Sequence, residues 1–140
     1  MEEPIEFDNV SKILIKNFPD IIEDALFLYD EETLEYMVSS DFARYIKRKF
    51  DEDNMEKVKK CLEFIELLLI NGTQETRVLA IVGYLEDLQN VTGGSQTMDK
   101  YEIIYDYLGI ELKKWWDKLN DFWDGKVDAL NELYAPQNVA

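Results

Sequence analysis

A chain of 140 residues, 46% hydrophobic and 13% aromatic, is long enough to bury one core and too apolar to stay disordered. Its 30 acidic and 15 basic residues leave a formal charge of −15, a field that repels nucleic acid and anionic membrane and attracts basic proteins. A lone cysteine, Cys61, excludes an internal disulfide, and the absence of histidine excludes Ser–His–Asp and Cys–His catalysis, His-containing zinc sites and Glu-x-x-His di-iron sites.

The charge is uneven. Residues 1–41 hold 12 acids against Lys12 and Lys16, residues 42–70 hold 7 bases and 6 acids, and residues 71–140 hold 12 acids and 6 bases. The opening "MEEPIEFD" is acidic and has no apolar core of a signal peptide, and no apolar run approaches ~18 residues. A cytoplasmic protein without membrane contact is the expectation.

Apolar residues recur at spacings of three and four almost throughout, which predicts helices. The first spans about Asn9–Asn17, and "FPDIIEDALFLYD" follows as a second, with Pro19 in its first turn. "EETLEYMV" and "DFARYIKRKF" read as two helices parted by Ser39-Ser40-Asp41. The basic face Arg44, Lys47 and Arg48 of the latter is expected to pair internally with the acidic N-terminal third.

"DNMEKVKKCLEFIELLLI" opens on a cap at Asp53 or Asn54 and carries a stripe of Met55, Val58, Leu62, Ile65 and Leu69. Cys61 falls within it and is expected to be buried and inert. Phe64 to Ile70 is apolar nearly all round, which predicts cover on several sides. Asn71-Gly72-Thr73 supplies a left-handed end and a new cap, so "QETRVLAIVGYLEDLQ" must return as an antiparallel partner. On it Val78, Ile81, Val82, Leu85 and Leu88 share a face. A Gly-rich linker over 91–97 precedes "MDKYEIIYDYLG" and "IELKKWWDKLNDFWDG", which divide near Gly109; "KVDALNELY" forms a last turn or two. The expected fold is all-α: one domain over 1–140, an irregular bundle of stacked antiparallel helix pairs with a HEAT-like tendency.

The three tryptophans lie within nine residues. On a helical wheel Leu112, Trp115, Trp116, Leu119, Phe122 and Trp123 share a 120° arc, while Asp117, Asp121 and Asp124 lie opposite. The aromatics therefore belong mainly to the core, with Trp115 or Trp123 the candidates to reach a partner. The aspartates are a solvated face or an electrostatic docking face.

Chemistry is sparse. Gly93-Gly94 lacks the Lys-Ser/Thr of a P-loop. Asp51-Glu52-Asp53 begins like a calcium loop, but Glu56 and Leu62 stand where glycine and glutamate are needed. Glu32 with Glu35, and Glu63 with Glu66, have the i,i+3 spacing of magnesium-holding pairs in helical nucleotide pyrophosphatases. The facing second pair is missing. No catalytic residue, metal or cofactor is expected.

"NFPDI" (17–21), "SSDFARYI" (39–46), "LEFIELLL" (62–69), "RVLAIVGYLEDL" (77–88) and "YLGIELKKWWDKLNDFW" (107–123) together resemble an uncharacterised family of small, acidic, all-helical bacterial proteins. That family resembles the immunity proteins encoded beside polymorphic toxins, which bind and neutralise a cognate toxin domain. The resemblance implies a non-enzymatic inhibitor whose acidic surface covers a basic protein partner, with no nucleic acid or membrane involved. Charge density points to Asp20, Glu23, Asp24, Asp30, Glu31, Glu32 and Glu35, with Tyr29 and Tyr36 as aromatic anchors; Asp117, Asp121 and Asp124 are the second choice. The alternatives are a nucleic-acid mimic that blocks a DNA-binding enzyme and a metal-dependent nucleotide hydrolase.

Overall fold

Ile5 is held by backbone pairing to the turn at Asn71–Thr73: its N–H donates to the Asn71 carbonyl at 2.8 Å and its carbonyl accepts from the Thr73 N–H at 3.1 Å. The Thr76 hydroxyl donates to the same carbonyl at 2.7 Å. This isolated bridge, Ile5 with Gly72, is the sole β feature among the described residues. The computed structural model describes residues 3–25, 34–93 and 101–134, and everything regular in it is helical, as the periodicity predicts.

A 3₁₀ turn at Phe7–Asn9 leads into α1, Val10–Asn17. A second 3₁₀ stretch covers Pro19–Asp24, with proline in its first turn where a missing N–H costs nothing. α2 runs unbroken through Glu35–Asp51. The predicted break at Ser39-Ser40-Asp41 does not occur. Ser39 Oγ shares its one proton between the Tyr36 carbonyl at 2.9 Å and Asp87 Oδ2 at 2.8 Å, and Ser40 Oγ donates to the same carboxylate oxygen at 3.1 Å. The hydroxyls that would have favoured a cap are satisfied within and across helices instead.

α2 ends in a left-handed residue, Asp53 (φ 61°), whose N–H donates to the Phe50 carbonyl while that of Asn54 donates to the Lys49 carbonyl. Asn54 then caps α3, Met55–Asn71, by accepting from the Lys57 N–H. Thr73 caps α4, Gln74–Val78. Between them Gly72 is extended rather than left-handed (φ −95°), which corrects the expected turn. Glycine is required there by crowding: a Cβ would lie 2.3 Å from the Leu68 carbonyl oxygen.

From α4 the helix continues without interruption as a π-helical stretch, Leu79–Leu85, into α5, Glu86–Val91. Of the predicted face, Ile81, Leu85 and Leu88 are buried and Val78 and Val82 half-buried, while Leu79, Ala80 and Tyr84, which a straight α-helical period places elsewhere, are buried as well. The i→i+5 winding shifts the phase of the helix and turns these extra side chains inward. α6 (Ile103–Tyr107) and α7 (Ile110–Trp123) are separated by Leu108 and Gly109, as predicted, and α8 is a single turn at Asn131–Tyr134.

α2 packs on α3, on the π-helical stretch and on α5; α7 packs on α3 and the π-helical stretch; α8 rests on α4. At the centre Phe42 gathers Phe18, Phe64 and Tyr84 edge-on or tilted and Tyr45 in a stack, with ring centroids 5.3–5.9 Å away. Cys61 is fully buried, and burial pushes its thiol up, which makes it inert at neutral pH. Trp115 and Trp116 are buried with Leu112 and Leu119 along α7. One expectation fails on α3: Leu67 is 45% exposed and Ile70 64%. Three sides of this helix meet α2, the π-helical stretch and α7, while the fourth opens into clefts beside α1 and the α6–α7 corner.

Candidate protein-docking surface

The acidic N-terminal third folds onto the basic end of α2. Asp24 accepts from Arg48 Nε at 3.0 Å and from a terminal Arg48 nitrogen at 2.8 Å, a two-pronged contact that fixes both side chains. Glu23 meets the same guanidinium at 3.5 Å and is otherwise exposed. Arg48 is raised above its ordinary range chiefly by the Asp24 hydrogen bond. Asp20 accepts from the Tyr45 hydroxyl at 2.7 Å and pairs with Lys49 Nζ at 3.1 Å. Burial alone would raise its carboxyl. The hydrogen bonds from Tyr45 and Lys49, with the lysine charge, outweigh it and leave it below the usual aspartate value.

Glu35 is turned inward, only 8% exposed. Its carboxylate accepts from the Ser11 N–H at 2.8 Å and the Ser11 hydroxyl at 2.7 Å, satisfying an orphan donor of the first turn of α1. Tyr36 is 43% exposed and tilts against Phe7 with centroids 6.0 Å apart. Burial raises its hydroxyl pKa, helped by Tyr134 and Glu75. Tyr29, Asp30, Glu31 and Glu32 lie outside the described residues. Asp20, Asp24 and Glu35 thus hold the N-terminal elements to α2; of the basic face expected to pair internally, Arg48 meets Asp24 and Glu23 and Arg44 meets Asp41.

The second group is arranged differently. Asp117 and Asp121 lie on α7 and Asp124 immediately follows it. Asp117 accepts from the Tyr105 hydroxyl at 3.0 Å, and Asp121 is 3.4 Å from Lys126 Nζ. The lysines of α7 are engaged elsewhere. Lys114 and Lys118 both reach Glu132, at 3.0 and 3.1 Å, and lie over the Trp115 ring; Lys113 lies over Tyr105. At the end of α7 the aromatics come out of the core: Phe122 is 36% and Trp123 43% exposed, packed edge-to-face at 5.7 Å. The wheel separates tryptophans from aspartates, yet here Trp123 is exposed immediately beside exposed Asp124. Gly125, left-handed at φ 104°, then ends α7: its N–H donates to the Phe122 carbonyl and the Lys126 N–H to the Asp121 carbonyl.

Two further polar sites escape sequence reasoning. Glu66 of α3 reaches across to the start of α7 and accepts from the Glu111 N–H at 3.1 Å and the Leu112 N–H at 3.4 Å. Asp87 of α5, held by Ser39 and Ser40, is raised by burial more than those bonds and Arg44 lower it; burial and the charge of Asp87 raise Glu86 as well. Arg44 pairs with Asp41 beside them. The sequence signal for both was the i,i+3 pairs and the Ser-Ser-Asp run, but which helix each would face is a tertiary fact.

Among the described residues, no group of three or more acidic, cysteine or histidine side chains is arranged to hold a metal ion, and no helix is long and apolar enough to cross a membrane. The arrangement offers an acidic helical surface with an exposed aromatic pair.

No curated protein and no solved structure matches the chain. The pieces that carry the resemblance lie within residues 11–124, and over that span the chain matches the model of a domain of unknown function, DUF7674, and belongs to that uncharacterised family.

Proposed function

We propose that this protein is a stoichiometric inhibitor, an immunity protein that neutralises a cognate bacterial toxin domain by covering its basic cleft. The observation that carries the reading is the end of α7. An exposed Phe122–Trp123 pair ends α7 beside Asp124, on a helix whose other side carries Asp117 and Asp121, in a chain of charge −15. A desolvated tryptophan supplies slow dissociation, and the surrounding carboxylates speed encounter with a basic partner. Because Asp20, Asp24 and Glu35 are engaged inside the fold, this reading rests on the α7 end rather than on those three carboxylates.

The test is co-expression with the toxic domain encoded beside the gene, followed by binding of the purified pair at two ionic strengths. Protection and a complex that weakens with salt are expected. Trp123→Ala should raise Kd by at least tenfold, on the order of 1.4 kcal/mol, mainly through faster dissociation. Asp121→Lys with Asp124→Lys should slow association. A chain that turns over a nucleotide unaided would overturn the reading. Inhibition of several unrelated DNA-binding enzymes would replace it with nucleic-acid mimicry.

A further inference from the structure

After α7 the chain turns back along the body as a thin segment anchored at its far end. Gly125 to Asp128 are all exposed, and the backbone N–H groups of Lys126, Val127, Ala129, Asn131 and Leu133 donate within the segment or back to Asp121 and Gly125. Leu130 and Leu133 are buried, and the Leu133 carbonyl accepts from Gln74 Nε2 at the start of α4 at 2.6 Å. Glu132 accepts from Lys114 and Lys118 of α7 at 3.0 and 3.1 Å. Both ammoniums also stand over the Trp115 ring, 5.5 and 5.4 Å from its centroid. Glu132 thus holds two charged groups in place over that indole.

The anchors are weak ones. The Glu132 side chain is 57% exposed, and ion pairs in such a position contribute little and are weakened further by salt. α8 is a single turn with no stability of its own, so the segment keeps its shape only against α4 and α7. Trp115 is buried, yet its indole N–H meets no acceptor among the described residues. A buried donor left unpaired is costly, and opening to water removes that cost. Gly125 supplies a pivot: it is left-handed at φ 104°, and a Cβ there would meet nothing within 4 Å, so no neighbouring atom resists rotation about it.

We propose that residues 126–134 form a strap that swings away about Gly125 when the Glu132 ion pairs are lost, uncovering Trp115. Trp115 and Phe122 stand at i and i+7, about two turns apart on the same side of α7. An open strap therefore extends the exposed aromatic stripe from Phe122 back to Trp115. The opening requires no partner protein, so it stands or falls separately from docking at the α7 end.

The test is hydrogen exchange on the isotopically labelled full chain, read by NMR at the Trp115 indole N–H. The exposed Trp123 indole sets the unprotected rate, and the amides of Phe64 and Ile65 in α3 report opening of the core. Because the Trp115 N–H has no hydrogen bond, its protection measures cover alone. In the wild type that protection should be at least about tenfold below that of the α3 amides. Glu132→Ala, at an exposed position, should lower it by a further factor of about three or more and leave the α3 amides unchanged. High salt should reproduce this loss in the wild type and add little in the variant. Gly125→Ala, which strains the closed pivot without a clash, should act in the same direction. Trp115 protection equal to that of the α3 amides in the wild type and both variants would overturn the proposal. So would equal loss at Trp115 and at the α3 amides in Glu132→Ala, because the ion pairs would then support the whole fold rather than a strap.

Discussion

Gly109 shows how one hydrogen atom positions a helix. A Cβ there would lie 2.1 Å from Glu66 Oε2, so alanine must displace the carboxylate that caps α7. Gly109→Ala should lower stability by about 1 kcal/mol, the usual value of a helix cap, and Glu66→Ala by a similar amount. Because both remove the same contact, the double variant should cost little more than either single change in thermal denaturation. Full additivity would show that the glycine matters for another reason. Asp53 makes the converse case. Its left-handed backbone costs an L-residue about 1–2 kcal/mol, part of which an aspartate recovers locally. Asp53→Gly should therefore raise the denaturation midpoint by about 0.5–1 kcal/mol in equivalent stability.

At the scale of elements, the protein joins its helices with carboxylates. Glu35 ties α2 to the start of α1, Glu66 ties α3 to the start of α7, and Asp24 ties the Pro19–Asp24 turn to α2 through Arg48. Arg48→Ala would leave Asp24, only 10% exposed in its side chain, without its donor. A loss of about 1–3 kcal/mol is expected, with hydrogen exchange accelerating first in the Pro19–Asp24 segment. Asp87 binds α5 to α2 and brings a pH dependence of definite sign. Its pKa is raised in the fold, so the folded state holds the proton more tightly than the unfolded chain. Stability from this group is greatest below the ordinary value of 3.8 and is lost as pH rises through the higher folded value. Asp87→Asn should therefore stabilise the protein relative to wild type at pH 7 more than at acid pH. Asp20, lowered in the fold, acts oppositely: its contribution is present above 3.8 and lost as pH falls through its folded value. Melting curves for the Asp87 variant across both windows separate the two.

For the whole molecule, charge and shape divide the surface. In the N-terminal third Asp20, Glu23, Asp24 and Glu35 are engaged with Arg48, Lys49 and Ser11, while the end of α7 exposes an aromatic pair beside Asp124. Long-range steering depends on net charge and so involves both groups. Specific contact depends on the few carboxylates left open. Raising ionic strength from low to physiological should therefore slow association with a basic partner for wild type and for Trp123→Ala alike, whereas only Trp123→Ala should speed dissociation. Stopped-flow association and dissociation rates measure the two effects separately.

The sequence by itself determined the helical class, the turn boundaries at Asn54, Thr73 and Gly109, the burial of Cys61 and Trp116, and the use of Arg48 as an internal partner, but left open whether Trp115 is covered. Each follows from information local to a few residues: period, capping chemistry, or the charge of neighbouring segments. Only the tertiary structure decided that α2 passes unbroken through Ser39-Ser40, that the helix after Thr73 winds as a π-helix over Leu79–Leu85, that Glu35 faces inward, and that Leu67, Ile70 and Trp123 face out. Each of these turns on which element lies opposite, or on none lying there. A residue's own pattern states that it can be covered; the length and reach of its neighbours decide whether it is.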